Sequence, residues 1–317
     1  MGVESSGTCG DNLTWNLDEE GTLTISGIGD MEDYNYSSHP WDNGMKKVVI
    51  SDGVTHIGKF AFVNCYSLTS ITIPDSVMSI GSGAFEHCSS LNKIILPNSI
   101  TRIGNCMFEG CESLTDITIP DGITNIGESA FYDCNSLAYI SIPESVTSID
   151  GWAFSSCDNL TSIMIPNSVT RIGTEAFSDC INLASITIPD SVTIIEWATF
   201  SGCSSLTSVE IPDSITCIEG SAFEGCKKLT SLTIPEGVTC IENYAFYGCT
   251  NLSNAFIPST VETINWANFL YYNDRTGQKE AIPGLTILGY AGSVAQNYAN
   301  QYNIHLDHYP FQSVEPM

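Results

Sequence analysis

The chain has 317 residues, with 36 Asp and Glu against 10 Lys and Arg, for a formal net charge of −26. A chain this acidic repels phosphate backbones and anionic lipid, which excludes nucleic acid as a partner and a polybasic attachment to membranes. At 43% hydrophobic residues the chain is no disordered polymer, and no apolar run approaches the ~20 residues of a membrane span, so no membrane insertion is expected. The opening Met1-Gly2-Val3-Glu4-Ser5-Ser6 lacks the basic and apolar regions of a signal peptide. The chain is therefore either cytoplasmic or stands here without its leader.

Residues 1–47 carry no repeat. Leu13-Thr14-Trp15-Asn16-Leu17 and Leu23-Thr24-Ile25 alternate around Asp18-Glu19-Glu20-Gly21, which predicts a β-hairpin acting as an N-terminal cap. From residue 48 to 270 a 23-residue period takes over. Phenylalanine recurs ten times at that step, at Phe62, Phe85, Phe108, Phe131, Phe154, Phe177, Phe200, Phe223, Phe246 and Phe269. Leucine keeps the same step from Leu68 to Leu252, and proline from Pro74 to Pro258, with Ser51 in its place in the first unit. A fixed period of this size is the signature of a solenoid.

One unit runs Leu68-Thr69-Ser70-Ile71-Thr72-Ile73-Pro74-Asp75-Ser76-Val77-Met78-Ser79-Ile80-Gly81, then Ala84-Phe85 and Cys88. Ile71 and Ile73 alternate with Thr72, the period of a half-buried strand. Pro74-Asp75-Ser76 predicts a turn, and Val77 to Ile80 a second short strand. Gly81 is expected to permit the next bend. The spacing of Ala84, Phe85 and Cys88 suits one helical turn facing inward. One unit cannot offset its own ordering entropy, so neighbours must stack. At about 4.8 Å per rung, ten units extend roughly 50 Å.

The period decays after Phe269, where Tyr272 stands in the cysteine position. Residues 271–317 are predicted to form a C-terminal cap. Asn273 to Lys279 is expected to be a polar loop and Leu285-Thr286-Ile287-Leu288 a strand. Ser293 should cap a helix to about Asn300, with Ile304-His305-Leu306 as a last strand. The whole is expected to be one continuous domain.

The pattern Leu-x-x-Ile-x-Ile-Pro-x-x-Val-x-x-Ile-Gly-x-x-Ala-Phe-x-x-Cys, recurring in register over 48–270, resembles the BspA-like leucine-rich repeat, a bacterial class. The resemblance implies an α/β leucine-rich-repeat solenoid, β-rich and right-handed, with two short strands and one helical turn per rung. Members of that family are generally secreted or cell-surface proteins, several of them implicated in adhesion. The resemblance therefore implies a non-catalytic binding protein of the bacterial surface or extracellular space, a monomer whose partner is protein (host matrix or another cell surface) or polysaccharide. The alternative is an architectural or targeting module of a larger surface protein.

Nine of the 13 cysteines stand three residues after the phenylalanine, from Cys65 to Cys249. They are expected to form a column of buried thiols acting as small hydrophobes. Of the other four, Cys9, Cys106, Cys217 and Cys240, the last two share a position on neighbouring rungs. They are the pair best placed to react, but equivalent Cβ atoms about 5 Å apart exceed the ~3.8 Å of a disulfide, so they are expected to stay unpaired.

Nothing in the sequence supports catalysis or a cofactor. His39, His56, His87, His305 and His308 fall on different phases, and His87 and Cys88, being adjacent, do not face each other. There is no Gly-x-Ser-x-Gly, P-loop or His-Glu-x-x-His, and no metal ligand is assigned. Asp75, Asp121, Glu144, Asp190, Asp213 and Glu236 follow the proline, with Asn98 and Asn167 interrupting. Turn chemistry is the preferred reading of this column and a cation-binding edge the alternative. Glu196, Glu219 and Glu242 replace the glycine of earlier rungs, and stacked like charges need solvent or a cation to offset them. A threonine column, Thr55 and then Thr101 to Thr239, is read as ordinary solvent-side strand.

Departures from the repeat are the better guide to a partner. Ile95, Tyr139, Met164, Glu210 and Phe256 break the Thr/Ser pattern of the first strand. Trp152, Trp197, Tyr244 and Trp266 lie two or three residues before the core phenylalanine, at the expected rim. Exposed aromatic side chains suit protein or sugar contacts. The first-strand residues rank ahead of the rim, on the expectation that this face is concave.

Overall fold

The computed structural model describes residues 3–309. It is a leucine-rich-repeat β-solenoid of about 12 turns of ~23 residues with little helix. Most repeats supply two strands. The first pair in parallel rung upon rung, as in Lys93–Ile95 with Asp116–Thr118, where Ile94 meets Ile117. The middle residue is buried and its neighbours face solvent, as the period-two pattern requires. The second strands, such as Arg102–Ile103 and Asn125–Ile126, stack in the same register and bury their isoleucines.

The third side of each rung holds the phenylalanine. All ten rings are buried, and each stacks on the next with centroids 5.2–5.7 Å apart and planes within 19° of parallel. The expected helical turn, and with it the α/β description, does not stand. Two residues before each phenylalanine the backbone is left-handed (Phe60, Gly83, Cys106, Ser129, Trp152), and it is left-handed again two residues after (Asn64, His87, Gly110, Asp133). Such residues break a right-handed helix. The N–H groups of Phe60, Phe62 and Asn64 donate instead to the carbonyls of Ser82, Ala84 and Glu86 on the next rung. Those of Ala61, Val63 and Cys65 close turns on residues three back. The segment is thus a third inter-rung ladder made of consecutive turns.

Gly81 serves a different need from the one expected. Its φ is not among the positive ones, but a Cβ there would lie 2.4 Å from the backbone nitrogen of Lys59 on the rung before. The glycine permits close stacking of neighbouring rungs.

The cysteine column is buried and unpaired from Cys65 to Cys249. From Cys88 onward each thiol donates to the carbonyl of the phenylalanine 26 residues back, at 3.1–3.3 Å. Burial pushes these thiols up, Cys180 and Cys249 to about 12, so they are not thiolates at neutral pH. Cys217 and Cys240, expected to stay apart, are a disulfide. They face each other across in-register parallel strands with Cα atoms 5.0 Å apart, inside the usual range for a bridge. The bridge shows that the two Cβ atoms come closer than the ~5 Å expected of strictly equivalent positions.

Both ends of the stack are covered. Leu13–Asp18 and Thr22–Gly27 pair antiparallel, and Val3–Gly10, which has no alternating pattern, adds outside them. Thr22–Gly27 then pairs in parallel with Lys47–Ile50 and so joins the first-strand ladder. Trp41 stacks on Phe62 at 5.5 Å, and its Nε1–H donates to the Ala61 carbonyl. At the far end Tyr298 meets Phe269 edge-on at 5.8 Å, and its hydroxyl accepts from the Phe269 N–H. Tyr298 belongs to the helix Val294–Tyr302, capped by Ser293 and ended by left-handed Asn303. The strand Thr286–Gly289 before it and the strand His305–His308 after it continue the first-strand ladder beyond Asn254–Phe256. The expected polar loop is a hairpin, Leu270–Asn273 with Gln278–Ala281, in which the Asn273 amide donates to Glu280.

Two outcomes follow. Phe154→Ala, in the middle of the stack, should cost about 3–5 kcal/mol in denaturant unfolding. Alkylation of the native protein should leave the ladder thiols unmodified. After denaturation, intact mass should show eleven labels without reductant and, with it, all 13 cysteines labelled.

Candidate functional site

The outward positions of the first strands form two columns. Ile95, Met164, Glu210 and Phe256 lie in one of them, on the third residue of each strand, with Thr118, Ser141, Thr187 and Thr233 between. Tyr139 lies in the other, in line with Asp116 and Ser162. Ile95 is 70% exposed, Tyr139 57% and Met164 76%. No core constraint explains large apolar groups at positions where serine and threonine satisfy the same backbone.

The ladder is interrupted beside Tyr139. Asp116–Thr118 pairs with the rung before it, whereas on the next rung Ser141 makes only an isolated bridge to Met164. An open depression of about 420 Å³ lies there, lined by Asp116, Thr118, Asp121, Tyr139, Ser141 and Pro143 among others. Lys93 reaches Asp116 at 2.6 Å on its edge. The structure thus brings Ile95, Tyr139 and Met164 to one stretch of the face, with carboxylates beside them. Phe256 is set apart. It is half-buried against Tyr309 at 5.0 Å and Tyr290 at 6.4 Å, in an aromatic cluster near the last strand.

The rim residues divide. Trp152 and Tyr244 occupy left-handed backbone and are half-buried, whereas Trp197 and Trp266 are exposed and precede left-handed Ala198 and Ala267. Tyr244, Tyr247 and Trp266 converge, with Tyr244 edge-on to both of the others. Lys279 of the hairpin enters this cluster. Its Nζ lies 4.0 Å from the Trp266 ring centre and 4.4 Å from that of Tyr244, and it donates to the Tyr244 hydroxyl at 2.8 Å. That is a cation–π arrangement made within the chain, so two of the four rim aromatics are already engaged. Lys279 read as loop in the sequence because its partners lie more than 10 residues upstream, on other rungs.

The stacked glutamates are offset by the protein itself. Glu219 accepts from the Trp197 N–H at 2.8 Å and Glu242 from the Gly220 N–H at 3.2 Å, each on the rung before. Arg171 binds both oxygens of Glu196, at 2.8 and 3.1 Å, and touches Asp150. The carboxyl of Glu219 is still raised, first by burial, then by Glu242 and Glu196, against the lowering pull of the Trp197 N–H. The column after the proline is exposed throughout. In the threonine column the hydroxyls of Thr124, Thr147, Thr170, Thr216 and Thr239 each donate to the threonine carbonyl one rung back, as Thr147 does to Thr124 at 3.1 Å.

Comparison with known proteins gives the family. The model for "BspA type Leucine rich repeat region" matches residues 40–161 and 152–275. Among solved structures, a leucine-rich repeat protein from Bacteroides ovatus is 29% identical, with 94% of this chain and 76% of that chain covered and a TM-score of 0.72. A leucine rich cell surface protein from Faecalibacterium prausnitzii is also 29% identical, over 94% of this chain and 98% of that one, with a TM-score of 0.49. A leucine rich repeat protein from T. pallidum is 30% identical over 70% of this chain and 90% of its own, with a TM-score of 0.48. No curated protein sequence matches the chain. Among the described residues no helix is long and apolar enough to cross a membrane.

The Glu219 environment sets a pH dependence. A carboxyl raised on folding costs no stability while it is protonated, and the cost grows as pH rises from its ordinary value through its folded one. Glu219→Gln keeps an oxygen for the Trp197 N–H and removes the charge. Its melting temperature should exceed that of the parent at neutral pH, and the difference should vanish at about pH 3.

Proposed function

This chain belongs to the BspA-type leucine-rich-repeat family, and we propose that it is a non-catalytic binding protein of the bacterial surface or extracellular space. Its partner in this reading is a protein, of host matrix or of another cell, held on the first-strand face. The observation that carries the reading is the exposure of Ile95, Tyr139 and Met164 at positions where the repeat elsewhere places serine or threonine. Exposed apolar groups clustered on a rigid face and ringed by polar residues are the anatomy of an interaction site.

Rigidity matters to this function. The second-strand and phenylalanine-turn ladders run unbroken behind Tyr139 and hold its rung in place, so binding would order few groups and lose little entropy. Charge gives the partner its chemistry. Asp116 and Asp121 line the depression with Tyr139, and the chain carries −26 overall, which favours a partner presenting basic side chains around an apolar centre. The disulfide between Cys217 and Cys240 agrees with an oxidising, extracellular setting.

The test is saturable binding of the immobilised chain to a panel of matrix proteins and polysaccharides, at low and high salt, with Tyr139→Ala/Met164→Ala beside the parent. The double variant should weaken protein binding at least tenfold, and salt should weaken the parent's binding. Equal binding by parent and variant would remove the function from this face. Binding to polysaccharide alone would change the partner class. No saturable binding across the panel would overturn the adhesive reading in favour of an architectural module.

A further inference from the structure

A second cluster lies at the phenylalanine turns of the second and third repeats, away from the first-strand face. Glu86 and Glu109 each follow a core phenylalanine, so the 23-residue step stacks one carboxylate on the other. His87 has φ 58°, and this left-handed turn lays its imidazole over Gly110. A Cβ at residue 110 would lie 2.2 Å from the His87 Nδ1, so the glycine is what lets the ring sit there. One ligand atom from each of Glu86, His87 and Glu109 lies within 4.8 Å of the others, and the His87 Nε2 is 3.9 Å from Glu86 Oε1.

The charge at this point is not offset as it is in the Glu219 column. Glu86 is only 7% exposed. Its neighbours are the Tyr36 hydroxyl, which hydrogen-bonds it, the His87 ring, and Glu109, which repels it. Glu128 adds a further negative charge near Cys106, whose thiol hydrogen-bonds Glu109. Among the described residues no Lys or Arg forms an ion pair with Glu86 or Glu109. Two carboxylates brought together in a half-buried place with no fixed cation call for a mobile one.

We propose that Glu86, His87 and Glu109 form a binding site for a divalent transition-metal ion of the zinc type. Two carboxylate oxygens and one imidazole nitrogen are a set that zinc accepts, with a fourth position left to water. Metal–ligand bonds of about 2.0–2.2 Å place tetrahedral ligand atoms roughly 3.3–3.6 Å apart, so the 3.9 Å between His87 and Glu86 needs closure of a few tenths of an ångström, and the set as a whole, within 4.8 Å, closes by about 1 Å or little more through side-chain rotation. Calcium fits poorly, because it takes six to eight oxygens and disfavours imidazole. Tyr36 and Cys106 touch the two carboxylates from outside and orient them. The site ties Tyr36, ahead of the first repeat, to the second and third repeats.

The proposal is independent of the partner on the first-strand face, and its test uses the full chain and zinc alone. Zinc is titrated against a competing chromophoric chelator, with EDTA-treated protein as the start. His87→Asn suits the left-handed backbone, as Asn64 shows at the equivalent position one rung earlier. One saturable site should appear in the parent. His87→Asn and Glu109→Gln should each weaken it at least tenfold, and His305→Ala should leave it unchanged. Nuclear magnetic resonance of the parent gives a readout that no variant's folding can confound, because zinc should shift the His87 ring signals. Absence of a saturable site, survival of the site in both variants, unshifted His87 signals, or equal affinity for calcium would each overturn the proposal.

Discussion

The column of ten phenylalanine rings is the constraint on which the rest of the solenoid depends. Rings held 5.2–5.7 Å apart and nearly parallel demand that every rung repeat the same path at the same spacing. That spacing is slightly wider than the ~4.8 Å between hydrogen-bonded strands, as offset stacking permits. Deletion of one residue from a rung would swing its phenylalanine out of line and break both strand ladders, which explains why the period never slips between Phe62 and Phe269. The column is open only at its ends, and there Trp41 and Tyr298 cover it with rings of their own.

Keeping the phenylalanine inside requires a backbone that turns sharply and still satisfies its polar groups. The two left-handed residues around each phenylalanine from Phe62 to Phe246 solve both problems. They turn alternate N–H groups toward the next rung and leave the others to close local turns. Side chains then use the second lone pair of the carbonyls. Cysteine does so inside the core, toward the phenylalanine carbonyl. Threonine does so on the solvent side of the second strand, and serine at the turn, where Ser145 donates to the Ile123 carbonyl at 2.6 Å. A buried carbonyl carrying two hydrogen bonds is well satisfied, so a small thiol is preferable there to an alanine.

Much of this was legible in the sequence, because burial in a solenoid follows column position. The strands could be read from alternation at Ile71 and Ile73, and the core from the recurrence of phenylalanine, leucine and cysteine. The turn was misread because the spacing of Ala84, Phe85 and Cys88 suits a helical turn as well as consecutive three-residue turns. A telling signal was present one step away. The position two after phenylalanine reads Asn64, His87, Gly110, Asp133, Ser156, Asp179, Gly202, Gly225 and Gly248, residue types that mostly tolerate left-handed backbone. Of the residues singled out, Ile95, Tyr139 and Met164 have an exposure that was legible, because a departure from Thr/Ser needs no knowledge of the third dimension. The half-burial of Phe256 and the engagement of Tyr244 and Trp266 were not, because their partners Tyr309 and Lys279 come from segments outside the period.

Stacking also explains why identical residues in different columns have different chemistry. The 23-residue step sets any side chain directly over its equivalent, so a glutamate in two successive units always meets another glutamate. At Glu219 and Glu242 the carboxylates reach back to N–H groups of the preceding rung, and the repulsion is absorbed by the backbone. At Glu196 a single arginine, Arg171, does the same. At Glu86 and Glu109 the corresponding N–H groups of the preceding rung, those of Asn64 and His87, are already committed to the main-chain carbonyls of the same glutamates, and the nearest basic side chain is an imidazole. The same repeat that makes one acidic column inert therefore leaves the other short of a positive charge, and it leaves it beside a nitrogen ligand. Function in such a fold is to be sought where the repeat creates a local imbalance, of charge at the Glu86 turn or of apolar exposure at Tyr139 and Met164, that its own hydrogen-bond ladders do not correct.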